Sequence, residues 1–158
     1  RLSNLVKGFD VNVLVYSKSL ESRQADFPDV KNVSFDELIC TSDIISFHGR
    51  AAADGKPLLS KEHYEKIKPS ALIINAARGN IVDESDLNDA LNEGLIAGAA
   101  IDVYSTEPAK ENVLFSNPKV ILTPHIAAST AEASIVVAEM AANQVSDYLL
   151  DGTSIHTV

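Results

Sequence analysis

The chain has 158 residues, a formal net charge of −9, one cysteine and no tryptophan. This length allows one medium-sized domain with a real core, and the composition is that of an ordinary globular protein. The acidic balance argues against a nucleic-acid or anionic-membrane partner, because either would need a basic face. No apolar run approaches the roughly 20 residues of a membrane span. The single cysteine excludes an internal disulfide framework and fits a reducing compartment, so we expect a cytoplasmic protein.

Five short apolar runs alternate with helical patterns, and we predict that each run is a β-strand. The runs cover residues 11–16, 44–47, 71–74, 96–103 and 120–122. They are almost continuously apolar, so both faces of the sheet should be covered, as in a parallel sheet between helices. Strands and helices that alternate at this spacing predict an α/β fold with a doubly wound parallel sheet.

Capping residues mark the helices between these runs. The predicted starts are Ser34 with Glu37, Ser60 with a stop at Pro69, Asp83 with an end near Asn92 before Gly94, and Ser129 with Glu132. The last helix is predicted to reach about Leu150, with Gly152 as its terminator. Its apolar residues lie on most of its sides, so we expect it to be buried between two bodies.

Ligands of doubly wound sheets bind beyond the carboxyl ends of the strands, so the residues after each run are the candidate site. His125 follows the fifth run and Glu107 follows the fourth. A carboxylate beside a histidine fixes its tautomer, and histidine is the usual proton carrier near neutral pH. Adjacent strand ends could bring the two together. The spacing alone favours the alternative, an unrelated surface glutamate and loop histidine.

Two more polar residues stand at strand ends. Arg78 lies in the turn NAARGN, where a guanidinium could clamp a carboxylate through two parallel hydrogen bonds; pairing with a neighbouring surface acid is the alternative. Asp102 closes a run of small residues and could accept a hydrogen bond from a ligand amide. Capping of its own loop explains this aspartate equally well.

Ser17, with Lys18 beside it, follows the first run, at the strand end that reads the adenosine ribose in Rossmann folds. An acidic residue there binds the 2′-hydroxyl, whereas a small or basic residue tolerates a 2′-phosphate. A sheet edge with no ligand is the alternative. Cys40 lies in an apolar helix and is interpreted as a core residue rather than a nucleophile. The scattered histidines and the single cysteine indicate no metal site.

Three longer motifs occur together and in order: NAARGNIVDESDLNDAL, GLIAGAAIDVYSTEP and VILTPHIAAST. Jointly they resemble the NAD-dependent D-2-hydroxyacid dehydrogenases, over essentially the whole chain. Within that family, AGAAIDVYSTEP and TPHIAASTAEA are most similar to the phosphoglycerate dehydrogenases of serine biosynthesis. The resemblance implies a Rossmann-like fold and an oxidoreductase that transfers a hydride between a nicotinamide cofactor and a D-2-hydroxy acid. D-3-phosphoglycerate is the expected substrate, a small anion.

The resemblance also implies residue roles. Arg78 would bind the substrate carboxylate, His125 would take the hydroxyl proton, and Glu107 would orient His125. Asp102 matches the family residue that holds the nicotinamide carboxamide. The other cofactor-lining positions that the resemblance implies, beside Arg78 and His125, are Ser17, Gly49, Arg50, Ala76, Ala77, Ile126, Ala127 and Ala128.

The same resemblance predicts the domain organisation. Residues 1–127 would form a nucleotide-binding domain, and residues 128–158 a return helix and tail that belong to a substrate domain. Helical residues 1–9 resemble the helix after the family's phosphate loop, so we expect a fold truncated at its N-terminus, without the first strand and the glycine-rich loop. Ser17 replaces the usual acidic ribose reader, which predicts acceptance of NADP beside NAD. The stretch HGRAAADGKP replaces the family's H-x-P…T loop.

A non-catalytic module is the alternative function: an incomplete dehydrogenase that serves in dimerisation or as a corepressor-like binding scaffold. The presence of Arg78, Glu107 and His125 favours the enzyme. A homodimer is expected, because a second subunit would cover a bare face of the last helix.

Overall fold

The computed structural model describes residues 2–28 and 30–153. The strands are β1 (Leu14–Val15), β2 (Lys31–Asn32), β3 (Ile44–Phe47), β4 (Leu72–Asn75), β5 (Gly98–Ile101) and β6 (Val120–Leu122). The α-helices are α1 (Leu2–Val6), α2 (Phe35–Thr41), α3 (Lys61–Tyr64), α4 (Glu84–Glu93) and α5 (Ala131–Asp151). Arg1 of the predicted first helix, and residues 154–158 of the predicted tail, lie outside the described residues.

All the strand pairings are parallel. β1 pairs with β2, and the other four strands form a second sheet in the order β3-β4-β5-β6. Each strand of the larger sheet therefore lies beside the next one in the chain, and a crossover connects each pair. Parallel strands that alternate with helices confirm the predicted α/β class.

The predicted strands agree with the structure best in the larger sheet. β3 and β6 have the predicted limits, whereas the fourth run shortens to Gly98–Ile101 and the first to Leu14–Val15. Strand β2 was not predicted, because Lys31 and Asn32 are polar and form no apolar run. Its pairing with β1 places the ends of both strands beside α2.

One face of the four-stranded sheet carries the core. Ile45, Ile73 and Ile101 are at most 3% exposed on successive strands, in one cluster with Leu87 and Leu91 of α4. The other face is poorly covered within the described chain, since its exposed residues include Ile44, Leu72 and Ile121. The prediction that both faces are covered is therefore wrong for one of them.

The helix caps follow the predicted chemistry with local differences. Asp83 accepts the Asp86 N–H at 2.9 Å, and Gly94 ends α4 at a φ of 75°. Ser34 accepts the Glu37 N–H at 3.1 Å, but the Glu37 side chain binds Lys31 instead of closing the capping box.

The structure moves the predicted start of one helix and the predicted end of another. Thr130, rather than Ser129, caps α5, and α3 already ends at Tyr64, well before Pro69. Cys40 is exposed on α2, where its neighbour Ile39 is the buried residue, so the prediction of a core cysteine is wrong.

Helix α5 contradicts the expected burial. None of its residues is buried, and Val137 and Leu149 are 65% and 76% exposed. The helix has the predicted end, with Gly152 at a φ of 75°, but the rest of the described chain does not cover it. Despite its 21 residues, neither α5 nor any other helix in the described ranges is long and apolar enough to cross a membrane.

Candidate active site

The carboxyl ends of β4, β5 and β6 meet at one edge of the sheet, where a cavity of about 180 Å³ opens. Arg78 reaches this cavity from the turn after β4, Glu107 from the loop after β5, and His125 from the loop after β6. The parallel order of the strands is the reason that three residues distant in sequence share one cavity. The other lining residues are Ala51, Gly79, Asn80, Val103 and Tyr104.

His125 and Glu107 form a close pair. The ring atom Nδ1 of His125 lies 2.6 Å from Oε2 of Glu107, and both side chains are partly exposed to the cavity. Oε1 of Glu107 accepts the Tyr104 N–H at 3.0 Å. The Tyr104 amide and the His125 ring hold the pKa of Glu107 below its ordinary value. Glu107 is therefore an ionised acceptor at neutral pH, and it can fix the proton of the imidazole on Nδ1.

The backbone at His125 is held in a sparsely populated conformation. Its φ is 56°, in the left-handed region that residues other than glycine rarely adopt. Asp102 explains how this conformation is maintained, since its carboxylate accepts the N–H groups of Ile126 and Ala127 at 2.9 Å and the Thr123 hydroxyl at 2.5 Å. These donors flank His125 on both sides, so the aspartate clamps the histidine loop.

Asp102 is 6% exposed, and its role in the loop was left open by the sequence. Burial raises the pKa of this carboxyl, but the hydrogen bonds from Thr123 and the two backbone amides outweigh it, so the pKa of Asp102 lies below its ordinary value. Three donors occupy most of the roughly four acceptor positions of a carboxylate. Loop capping is therefore the role that the structure shows for this residue.

Replacing Asp102 by asparagine should destabilise the fold in a pH-dependent way. The new amide cannot accept from all three donors, so we expect the free energy of unfolding to fall by about 1–3 kcal/mol near pH 7. Since the folded-state pKa of Asp102 is lowered from 3.8, the wild-type advantage is present above that value and disappears as the pH falls through the lowered pKa. Urea titrations from pH 7 to pH 3 measure this. An advantage independent of pH would contradict it.

The turn that carries Arg78 is shaped by a buried residue that the sequence interpretation did not single out. Asn75, the last residue of β4, is 1% exposed; its side chain donates to the Arg78 carbonyl at 2.9 Å and accepts the Ala77 N–H at 3.2 Å. Nη1 of Arg78 donates to the Ala77 carbonyl at 2.6 Å, and the side chain is exposed. The available signal was a polar residue that ends an otherwise apolar strand.

Gly79 packs the Arg78 turn directly against the segment that leads to Glu107. A Cβ at Gly79 would lie 2.0 Å from the carbonyl carbon and oxygen of Tyr104, and 2.5 Å from the Ser105 nitrogen. No side chain fits at such distances. The two loops therefore meet backbone to backbone, which sets the separation of the cation from the acid–histidine pair.

The predicted cofactor residues are distributed over several places. Ser17 lies apart from the catalytic cavity and lines a larger one of about 840 Å³ beside α2, together with Tyr16 and Asn32. Ala77 is half-buried against the core. The amides of Ile126 and Ala127 already bind Asp102, so a cofactor would have to meet other atoms of those residues. The residues that are exposed at the sheet edge are Gly49, Arg50, Ala76, Ile126, Ala127 and Ala128.

Open space and a small side chain mark this edge of the sheet. The position of a Cβ on Gly49 is open, with nothing within 4 Å, and the neighbouring strand end presents the small Ala76 side chain. Small residues at strand ends allow a ring to approach the backbone closely. No group of three or more histidine, cysteine, aspartate or glutamate residues in the described chain is arranged to hold a metal ion.

Two curated relatives share the sequence over most of this chain. One is D-3-phosphoglycerate dehydrogenase of Archaeoglobus fulgidus, 40% identical over 140 residues, which are 88% of this chain and 27% of that protein. The other is D-3-phosphoglycerate dehydrogenase of Bacillus subtilis, 37% identical over 147 residues, which are 93% of this chain and 28% of that protein. The chain thus spans little more than a quarter of the length of these relatives.

Solved structures have the same fold. A D-2-hydroxyisocaproate dehydrogenase superposes with a TM-score of 0.87 at 28% identity, over 99% of this chain and 51% of its own. A D-lactate dehydrogenase from Sporolactobacillus gives 0.81 at 30% identity, with the same coverage. These likenesses confirm the predicted Rossmann-like architecture.

The family model described as the NAD-binding domain of D-isomer-specific 2-hydroxyacid dehydrogenases matches residues 1–127. That segment contains β1 to β6 and the whole cavity with Arg78, Glu107 and His125. The chain therefore belongs to the D-isomer-specific 2-hydroxyacid dehydrogenase family, through its NAD-binding domain.

Proposed function

We propose that this protein transfers a hydride between a nicotinamide cofactor and a D-2-hydroxy acid. The observation that carries the proposal is the 2.6 Å contact between His125 and Glu107 in one cavity with Arg78. A proton carrier, an acid that orients it and a cation for a carboxylate are the groups that oxidation of a hydroxy acid requires from the protein.

The contact between His125 and Glu107 determines which nitrogen of the imidazole carries the proton. Glu107 is ionised and faces Nδ1 of His125, so the neutral imidazole carries its proton on Nδ1 and leaves Nε2 free to accept one. Nε2 would take the hydroxyl proton of the substrate, and Glu107 would stabilise the imidazolium that results. The nicotinamide ring, when bound, supplies the hydride acceptor. In the reverse direction His125 returns the proton to the carbonyl oxygen.

Arg78 would bind the substrate carboxylate. Its guanidinium has five donors, and the structure uses one of them on the Ala77 carbonyl. The remaining donors can form two parallel bonds to a carboxylate at the mouth of the cavity. This anchor would orient the carbon that bears the hydroxyl group toward His125.

We propose D-3-phosphoglycerate as the substrate. Two exposed cations support a phosphorylated substrate: Arg50, which directly precedes the cavity-lining residue Ala51, and Lys56 in the same loop could meet the phosphate. The test is reduction of NAD or NADP by the intact protein with D-3-phosphoglycerate, D-lactate, D-glycerate and their L-forms. The D-forms should react, with the highest kcat/KM for D-3-phosphoglycerate. No reduction with any D-acid would contradict the function, and a preference for an unphosphorylated acid would contradict the substrate.

Cofactor selectivity is expected to be relaxed toward NADP. Ser17 lines the larger cavity and carries no charge that would repel a 2′-phosphate. Its hydroxyl lies 3.0 Å from that of Ser19. Ser17→Asp should shift the kcat/KM ratio toward NAD by about tenfold or more, since a carboxylate repels the phosphate and binds the ribose hydroxyl. Ser116→Asp, which adds the same charge at an exposed serine just before β6, should leave the ratio unchanged. A strong NAD preference of the wild type would contradict the expectation.

The binding-module alternative rests on one observation, the exposed apolar residues of α5. We propose that a second copy of the chain covers these residues in a homodimer. We also propose that the protein is cytoplasmic, because its single cysteine fits a reducing compartment. Sedimentation of the intact protein tests the dimer. A stable dimer that reduces neither cofactor would favour the module over the enzyme.

A further inference from the structure

One carboxylate of α4 holds the segment that carries Glu107, which we name the Glu107 loop (residues 105–112). Oε1 of Glu84 accepts the Ser105 N–H at 2.7 Å, and its Oε2 accepts the Ser105 hydroxyl at 2.8 Å. The same Oε2 accepts the side-chain amide of Asn112 at 2.8 Å. Both ends of the Glu107 loop are therefore bound to a single side chain.

Few other contacts restrain the Glu107 loop. Among the described residues, 105–111 form no backbone–backbone hydrogen bond, and only Ala109 of this segment is partly buried against the core. Glu107 itself accepts the N–H of Tyr104, which immediately precedes the loop. An exposed segment without its own backbone pairing is easily displaced. Beside the packing of Ser105 against Gly79 and the bonds of the Glu107 carboxylate itself, the charge-assisted bonds to Glu84 hold both ends of the loop.

Glu84 is well placed to act as a fixed anchor. It is the first residue of α4, directly after the N-cap Asp83, and a carboxylate is favourable at the N-terminus of a helix. Leu87 and Leu91 are fully buried and fix the helix in the core. The three bonds thus connect the Glu107 loop to a helix that is packed into the core.

We propose that Glu84 is a positioning residue for the His125–Glu107 pair, an inference that rests on the function proposed above. Glu84 does not line the catalytic cavity, so it acts through the Glu107 loop. By fixing Ser105 and Asn112 it keeps the Glu107 carboxylate within hydrogen-bond distance of Nδ1 of His125. Small displacements of a catalytic group are costly to the rate, and preventing them is the role of this anchor.

Glu84→Gln tests the anchor with little change of shape. One oxygen becomes an NH2 group that cannot accept, so at least one bond to the Glu107 loop is lost. In the intact protein, kcat should fall about tenfold while KM for the cofactor is unchanged. Ser105→Ala, a milder change in case Glu84→Gln does not fold, should give a smaller loss in the same direction. Glu93→Gln removes a charge from the other end of α4 and should retain wild-type kcat.

A double variant separates positioning from general destabilisation. If Glu84 acts through Glu107, then Glu84→Gln should cause almost no further loss of kcat in a Glu107→Gln background. A purely structural effect would instead multiply the two losses. Multiplicative losses, or a wild-type kcat in Glu84→Gln when the wild type is active, would overturn the inference.

Amide hydrogen exchange gives a readout that needs no turnover. The Ser105 amide should exchange about tenfold faster in Glu84→Gln, while the α4 amides keep their protection. If the wild type oxidises no D-2-hydroxy acid, the proposed function fails and exchange alone decides the inference. Faster exchange confined to the Glu107 loop then supports the anchor, and unchanged exchange overturns it.

Discussion

Replacing His125 by glutamine should lower kcat of the intact protein by about 10²–10⁴, the range that general acid–base catalysis contributes. Glutamine cannot accept the hydroxyl proton, so the substrate oxygen would have to lose it to water. KM should change little, since Arg78 still binds the carboxylate. Steady-state kinetics with the preferred D-acid measure both quantities.

The fold should tolerate the loss of this side chain, because the His125 ring is partly exposed and its hydrogen bond is to Glu107. The positive φ at this position disfavours glutamine, whereas asparagine tolerates it better. His125→Asn is therefore the matched variant: it should be equally inactive and close to wild type in Tm. Turnover near the wild-type value in either variant would remove His125 from the mechanism.

Substitution of Glu107 can be compared with substitution of a second glutamate in the same loop. Glu107→Gln should lower kcat because it removes the ionised group that orients the imidazole, whereas Glu111→Gln changes an exposed acid of the same loop and should be neutral. Equal losses in the two variants would show that the loop, rather than the His125–Glu107 contact, sets the rate.

Elements with a strong local pattern were predictable from sequence, and elements that depend on distant neighbours were not. β3 and β6 are apolar runs bounded by polar residues, and α4 has Asp83 before it and Gly94 after it. β2 consists of the polar pair Lys31 and Asn32, and it exists because β1 lies beside it. Pairing of that kind leaves no periodicity in a short segment.

The candidate site shows the same division. His125, Glu107 and Arg78 were candidates because of their chemistry at strand ends, and the family resemblance supplied their predicted roles; the parallel sheet brings these strand ends together. The hydrogen-bond partners of a polar side chain could not be predicted in this way, because they depend on three-dimensional contacts. Asp102 could equally have faced a ligand amide or its own loop, and only the positions of the amides of Ile126 and Ala127 decide for the loop.

The burial of α5 was likewise predictable only in part. Apolar residues on most sides predict a buried helix whenever a partner surface is present, and the pattern carries no information about which surface that is. Val137 and Leu149 are exposed because no surface of the described chain packs against them. Composition therefore indicates that α5 needs a neighbour, and measurement of the oligomeric state tests whether a second copy is that neighbour.

Gly79→Ala should cause the largest loss of stability of any single methyl addition at a glycine of this chain. The added Cβ would lie 2.0 Å from backbone atoms of Tyr104, which cannot move aside as a flexible side chain could. We expect the free energy of unfolding to fall by about 3 kcal/mol, or the variant to fail to fold. Urea titration followed by circular dichroism suits this chain, which has no tryptophan.

Gly8→Ala is the matched control, since nothing lies within 4 Å of its Cβ position, and its stability should stay within about 0.5 kcal/mol of wild type. Any folded Gly79→Ala protein should also lose kcat, because the methyl group pushes the Tyr104–Ser105 backbone away from the Arg78 turn and takes Glu107 with it. Wild-type stability would contradict the backbone contact. Reduced stability with wild-type kcat would mean that the separation of Arg78 from Glu107 does not limit the reaction.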